Sequence, residues 1–400
     1  MRIVLTSESY LPYLSGVTIS VDSLARGLGA NGHEVLVLAP RPARGSVVEP
    51  VGSPGPAPRH AWLSSYQPPI LAPAGYRIPW PVRWGGALRD ARAFRPDLVH
   101  AHSPFVTGLL ARSLARSTGV PLVFTHHTRF DDYVHYLGPL ARPGRHVTDA
   151  HLRSFWRAST AVVAPSGDLA DAIRAGIGAD RADRVHVIPT GIDVAGIRRL
   201  VPIDARIVAG WPPDTVVVAS LGRLAPEKSP EILFEALALA AARQPRLRLL
   251  VVGGGPSEHR LGARAEARDL AGRVHLAGAL PRPRALALIA GGDLFAFTSR
   301  TETQGLVLAE ALTAGLPAIA VDGPGVRDSV RDRVDGVVLA ADPPASLIER
   351  LAEAIVNMAD DDQGRSAMGE RARTDAERFG VEHRVAEVEA LYRRLIHGPA

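Results

Sequence analysis

Short apolar runs alternate with amphipathic stretches along this chain. "MRIVLTS" (1–7) is strand-like and enters the loop "ESYLPYLSGVT" (8–18), after which "ISVDSLARGLGANGH" (19–33) has helical spacing and "EVLVLAP" (34–40) reads as a second strand. A strand, a crossing helix and a second strand make the unit from which parallel sheets are built. "DLVHAHSP" (97–104), "PLVFTHHT" (121–128) and "AVVAPSG" (161–167) continue as buried strands, each followed by polar or helical sequence. The pattern restarts at "TVVVASLGRLAPEKSPEILFEALALAAA" (215–242) and adds the strands "LRLLVVGGGP", "VHLAGAL", "LFAFTSR" and "PAIAVDGPG". Two successive α/β runs predict two doubly wound, Rossmann-like domains. The first is expected over residues 1–190 and the second over 191–380, with the join near "VIPTGIDVAGI" (187–197). The periodic tail "VEHRVAEVEALYRRLI" predicts a helix within 381–400 that packs back on the first domain. Residues 40–82 are rich in Pro, Gly and aromatics, carry no clear period, and read as a long surface excursion or functional loop.

Open α/β sheets bind ligands in the loops beyond the carboxyl ends of their strands. That rule singles out Ser15-Gly16, His102, His127, Arg223 with Lys228, Gly253–Gly255, and Glu302–Gly305.

Composition removes several chemistries. With no cysteine there is no disulfide, thiol nucleophile or cysteine-ligated metal. The first residues lack a signal-peptide core and no apolar run reaches membrane-spanning length, so a cytoplasmic protein is expected, able to touch a membrane surface. Residues 1–190 hold 20 Arg against 13 Asp and Glu, a net of +7. Residues 191–400 hold 26 Lys and Arg against 28 acids, a net of −2. A basic half suits an anionic partner, and no aromatic-basic module points to nucleic acid. All the basic residues but one, Lys228, are arginine, so this position is a candidate for a compact ammonium.

The stretch "TETQGLVLAEALTAG" (301–315) carries the chemistry furthest. Glu302 precedes a helix expected to begin near Gln304 or Gly305, and Glu310 sits among apolar residues on its second turn. Backbone N–H groups of Gln304, Gly305 and Leu306 at a helix N-terminus suit a diphosphate. Glu302 could then accept hydrogen bonds from sugar hydroxyls and Glu310 from a ribose diol; a capping acid and a half-exposed helix acid are the bland alternative. In "LGRLAPEKSP", Arg223 and Lys228 could neutralise a departing nucleotide or simply solvate a loop. The glycine turn "VVGGGP" around Gly254 lets backbone approach a ligand, without the spacing of a dinucleotide fingerprint. The histidines of 100–135 show no ligand-spaced set and no convincing D-x-D follows a strand, so no metal and no cofactor is expected.

In combination, Arg223…Lys228 and Glu302…Glu310 with Gln304-Gly305 between them resemble the E-x7-E retaining glycosyltransferases of the GT-B fold, glycosyltransferase family 4. The resemblance runs from "TSESYLPYLSGVTISVDSLARGL" through "RTETQGLVLAEALTAGLPAIA" to the terminal helix. It implies two Rossmann-like domains facing across a cleft, the first binding the acceptor and the second a nucleotide sugar. It places Gly16 by the donor phosphates, Arg223 and Lys228 on the diphosphate, Glu302 at the transferred sugar and Glu310 at the ribose. The block 98–137 resembles the subgroup that glycosylates diacylglycerol. That similarity implies a catalytic role for His127, with His126 its neighbour and competitor, and an acceptor side around His102 and "FDDYVHYL" (Asp131, Tyr133, His135). The implied reaction moves a hexose, first choice glucose from UDP-glucose, to a membrane lipid with retention and without metal. A mannosyl or other hexosyl transfer to a soluble or inositol-type acceptor shares every donor motif, and a sugar-nucleotide epimerase or a non-catalytic binding protein shares the fold. Peripheral attachment to the inner face of the cell membrane is expected, with Trp62, Trp80 and Trp84 beside Arg59, Arg77 and Arg83 meeting anionic lipid.

Overall fold

A computed structural model describes residues 1–46, 55–67, 76–80, 84–128 and 141–398, with the side chains of 141–143 left aside. The chain forms two compact units, Met1–Asp193 with Gly380–Ala400, and Val194–Phe379.

The first unit is built on β1 (Arg2–Thr6), β2 (Glu34–Pro40), β3 (Arg59–Leu63), β6 (Leu98–Ala101), β7 (Leu122–Thr125), β8 (Ala161–Ala164) and β9 (Val185–Val187). They pair in parallel in the order β3-β2-β1-β6-β7-β8-β9. Successive side chains of a strand point to opposite faces. Val4, Leu36, Leu38, Val99, Phe124 and Val162 accordingly join one core cluster, while Ile3, Leu5, Val35, Val37, Leu98 and Val163 join the other. Helices cover both faces, which is why these strands read as unbroken apolar runs rather than as an alternation.

Helix Val381–His397 closes the second of those cores, burying Val381, Val385, Val388, Leu391 and Tyr392. Each fully buried aliphatic side chain there contributes about 1.5–3 kcal/mol. It lies close to helix Gly16–Ala30: a Cβ on Gly27 would come within 2.5 Å of Val385 Cγ2, so glycine is what lets the two approach. The segment 40–82 differs from its expectation. It contains β3, a full member of the sheet, and a small antiparallel pair, β4 (Ser65–Tyr66) with β5 (Ile78–Pro79). Pro and Gly around "RHAWL" hide a strand whose pattern is only five residues long.

The second unit repeats the plan with β10 (Val216–Leu221), β11 (Leu247–Val252), β12 (Val274–Leu276), β13 (Leu294–Phe297), β14 (Ala318–Val321) and β15 (Gly336–Leu339), parallel in the order β12-β11-β10-β13-β14-β15. Both units are Rossmann-like. Adjacency of β10 and β13 in this sheet puts their carboxyl-end loops side by side, and those loops hold Arg223 with Lys228 and Glu302. Among the described residues no helix is long and apolar enough to cross a membrane.

Candidate functional site

In the second unit the strand-end loops lock onto one another through backbone. Leu224 N donates to Gly254 O at 3.0 Å and Gly222 N to Val252 O at 3.0 Å. A Cβ on Gly253 would stand 1.9 Å from Gly222 O, and one on Gly255 2.4 Å from Leu224 O. The flanking glycines of "VVGGGP" are therefore required by the neighbouring loop's backbone, a structural reason the sequence reading had assigned to a ligand. Thr298 Oγ1 donates to Ser229 O at 3.0 Å and Thr301 Oγ1 to Glu227 O at 3.1 Å, fixing the loop after β13 to the loop after β10.

On that frame Lys228 Nζ meets Glu302 Oε1 at 2.7 Å, joining the lone lysine to the first glutamate of the motif. Arg223 ion-pairs instead with Glu227, a buried acid that the sequence reading passed over. Gly305, at φ +70°, caps helix Leu306–Thr313 and its carbonyl accepts from Leu308 N at 2.9 Å, while the helix geometry provides no intrahelical acceptor for the N–H groups of Leu306 and Val307. Gln304 is buried behind it and its carbonyl accepts from Ser329 Oγ at 3.3 Å.

Glu310 is fully buried. An isolated carboxylate there would be prohibitively desolvated, and its charge partner is Arg282, the first residue of helix Arg282–Ile289. Burial holds the Arg282 guanidinium down to about 10. Arg282 lies 28 residues before its partner and in sequence looks like one more solvated arginine of "PRPR"; no periodicity could have found it.

The first unit presents a different strand-end chemistry. His100 lies on β6 and His102 just beyond it, both buried. His100 Nδ1 is 2.5 Å from Tyr392 Oη, and its Nε2 is 2.7 Å from Thr125 Oγ1. His102 Nδ1 is 2.9 Å from His127 Nε2, with the rings nearly parallel at 19°. Burial keeps all three imidazoles neutral: His100 and His127 are lowered to about 3, His102 well below its ordinary value. His126 is held differently. Trp156 Nε1 donates to its Nδ1 at 3.0 Å and its Nε2 is 2.8 Å from the carbonyl of Thr128. Those two partners fix His126 as the Nε2–H tautomer. Of the adjacent pair, then, His126 is anchored to the core tryptophan, and His127 is the one joined to His102.

Two further groups sit at this end. Gly16 is the exposed first residue of its helix, which Ser15 caps by accepting from Thr18 N at 3.1 Å. Glu8, missed by the sequence reading, accepts from Thr107 N at 3.1 Å at the start of helix Val106–Thr118. Desolvation raises its carboxyl to about 7 despite that hydrogen bond. Asp131, Tyr133 and His135 lie outside the described residues, as does Arg83. Of the tryptophans expected at a lipid surface, Trp62 stacks on His60 at 4.6 Å and packs on the core, and Trp84 also packs inward. Trp80 is 45% exposed. Arg59 lies over the Phe94 ring and Arg77 is bound to Ser65. Among the described residues no three His, Asp or Glu side chains gather as a metal site.

With this geometry in view, the likeness to known proteins is informative. The family described as Glycosyltransferase Family 4 matches residues 14–195, and Glycosyl transferases group 1 matches residues 204–375. The alpha-monoglucosyldiacylglycerol synthase of Streptococcus pneumoniae is 27% identical over 351 residues, 84% of this chain and 75% of that protein. A GDP-mannose-dependent alpha-mannosyltransferase of Mycolicibacterium smegmatis is 32% identical over 364 residues, 88% of this chain and 89% of that protein. Among solved structures, HepE from Anabaena in complex with UDP and glucose shares the fold with a TM-score of 0.73 at 21% identity, over 99% of this chain and all of that one.

Proposed function

The chain belongs to glycosyltransferase family 4, and from that premise we propose that it transfers a hexose from a nucleotide sugar to a membrane lipid with retention at the anomeric carbon. UDP-glucose is the first choice of donor and diacylglycerol of acceptor, on the strength of the glucolipid synthase relative. The observation that carries the donor side is the Lys228–Glu302 pair, held at the mouth of helix Leu306–Thr313 with the buried Glu310 on the helix behind it. On this reading the leaving diphosphate takes over part of the Lys228 ammonium and is also met by Arg223, by the amides of Gln304, Gly305 and Leu306, and by the backbone near Gly254. Preorganised positive charge aimed at a developing anion is the largest single source of rate in many enzymes. It does here what a divalent cation would otherwise do, so the reaction is metal-independent and chelation by EDTA leaves turnover unchanged.

Glu302, released from Lys228 as the diphosphate arrives, orients the transferred sugar, and Glu310 accepts from the ribose diol. In the first unit His127 faces the acceptor side, with His102 behind it and with Asp131, Tyr133 and His135 following in the chain. With no helix among the described residues long and apolar enough to cross a membrane, work on a lipid would take place at the bilayer surface. The excess arginine of residues 1–190 and the exposed Trp80 suit an anionic inner leaflet.

A second reading, mannosyl transfer from GDP-mannose, is favoured by the 32% identical mannosyltransferase. A donor panel assayed against diacylglycerol in mixed micelles, with products read by mass spectrometry, separates the two. Glucosyl-diacylglycerol from UDP-glucose is expected. Product from GDP-mannose alone, or turnover confined to water-soluble acceptors, overturns the lipid-glucosyl reading.

A further inference from the structure

Glu8 has no part in the reaction outlined above, yet it stands beside groups that do. It lies two residues past the end of β1, and β1 pairs with β6, so the loops that follow the two strands run together. Glu8 N donates to Ser103 Oγ at 3.1 Å, one residue after His102, and His102 N donates to Thr6 O at 2.8 Å. Backbone hydrogen bonds thus tie this acid to the loop that carries His102.

One carboxyl oxygen has a structural task. Glu8 Oε1 accepts from Thr107 N at 3.1 Å, and the amide of Val106 also favours the charged form. Helix Val106–Thr118 gains a cap in this way, since Phe105 at its N-cap offers no side-chain acceptor. Capping does not account for an acid, however. Glutamine would accept the same hydrogen bond and bring no charge to desolvate. Here desolvation outweighs both amides and raises the carboxyl to about 7, and no cation offsets it. The residue is only half-buried, so a substrate can still reach it. Burial first and the Glu8 carboxylate second push the nearby Tyr76 phenol up to about 12, and the Tyr76 ring stands edge-on to Tyr13 at 5.2 Å.

We propose that Glu8 is an acceptor-binding residue: its carboxylate, held in place by the amide of Thr107, accepts a hydrogen bond from the acceptor's alcohol and sets it among the strand ends that carry His102 and His127. The claim rests on the reading of this end of the first unit as the acceptor side. A carboxylate oxygen binds a hydroxyl more strongly than a neutral oxygen does. A desolvated carboxylate without a cation is one that an uncharged alcohol can satisfy. Protonation takes that advantage away, so use of the acceptor should rise with pH through about 7 and level off above it. His102, His127 and Tyr76 do not change charge over that range, because burial holds the two imidazoles far below it and the phenol far above.

The test compares Glu8→Gln with the unaltered chain. Glutamine keeps an oxygen for Thr107 N and loses only the charge, so the melting temperature should hold or rise. Diacylglycerol is presented in mixed micelles, with UDP-glucose or GDP-mannose, whichever reacts, at saturation. At pH 8 the acceptor KM should rise about tenfold while nucleotide affinity by calorimetry stays the same. The profile of kcat/KM for the acceptor should lose its rise near pH 7 in the variant. An unchanged acceptor KM overturns the proposal. So does a rise near pH 7 that survives in the variant, and so does a nucleotide affinity that falls in step with acceptor use, as a purely structural role would produce. If a soluble alcohol is turned over in place of the lipid, the lipid reading falls alone; the same comparison then runs on that alcohol, with the same outcomes expected.

Discussion

The two units share one architecture and put opposite electrostatics at the carboxyl ends of their strands. In the second unit those ends carry formal charges that are already paired: Lys228 with Glu302, Arg223 with Glu227, Arg282 with Glu310. In the first they carry neutral rings linked by hydrogen bonds, His100 to Tyr392 and Thr125, and His102 to His127. The difference teaches where desolvation has been spent. Paired charges suit an anionic ligand that exchanges for one of the partners. Neutral donors and acceptors suit a hydroxyl compound that brings no charge.

Acid should separate the two most strongly. His100 and His127 are lowered from 6.5 to about 3 by burial, so below pH 6.5 the unfolded chain binds protons that the folded chain refuses. Stability is then complete above pH 6.5 and falls as pH drops, by about 1.4 kcal/mol per pH unit for each ring, or about 5 kcal/mol for the two by pH 4.5. Glu8 works the other way: its raised carboxyl favours the folded state as pH falls from about 7 and offsets part of the loss. Four of the five tryptophans, Trp62, Trp80, Trp84 and Trp156, lie in the first unit and only Trp211 in the second. Tryptophan fluorescence should therefore report unfolding at a higher pH than far-ultraviolet circular dichroism does; coincident transitions would refute the contrast.

Glu310→Ala comes next. It leaves the partly exposed Arg282 guanidinium without its counter-ion, at a cost of about 1–3 kcal/mol, and it removes the proposed ribose contact. Combining Arg282→Met with Glu310→Gln should restore most of the melting temperature while calorimetry still finds nucleotide affinity lost. Full affinity in the double variant would move the ribose elsewhere. Glu302→Gln should lower kcat by about a hundred- to a thousand-fold with nucleotide affinity little changed. Tighter nucleotide binding in that variant would mean that the carboxylate mainly competes with the diphosphate for Lys228. The smallest effect is expected of Lys228→Arg, which keeps the charge but spreads it over a planar fork: kcat/KM should fall about ten- to a hundredfold. A value near that of the unaltered enzyme would make the single lysine an accident of composition.

How much of this was legible in the sequence depends on the range of the interaction concerned. Strands such as "EVLVLAP" and "TVVVAS" announce themselves because both faces are buried and the whole run is apolar. β3 did not, being short and set among prolines. Glu302, Gln304, Gly305 and Glu310 stand close together on one loop and helix, so a local pattern revealed them. Arg282 could not be found that way, because its only signal is a partner 28 residues off in sequence. Between His126 and His127, adjacent and identical in type, the local pattern offered no physical ground for a choice, and only the family resemblance favoured His127. What distinguishes them in the structure is Trp156, 30 residues later, which hydrogen-bonds His126. Lys228 stood out for its rarity and for its place in a strand-end loop, and its meeting with Glu302, 74 residues on, follows from β10 lying next to β13.

Helix Val381–His397 belongs to the first unit but follows all of Val194–Phe379 in the chain. The backbone leaves the first unit after Asp193 and returns at Gly380, and the two crossings touch, Val381 N donating to Ile192 O at 3.0 Å. Chains are synthesised from the N-terminus and domains tend to fold as units while they emerge. The second unit is thus wholly translated, and free to fold, while the first still lacks the helix that bears Tyr392. His100 meets its phenol partner only after that helix docks. The unit that holds the linked histidines is begun first on the ribosome and finished last, so premature termination between Phe379 and Tyr392 leaves the second unit complete and His100 without its phenol partner.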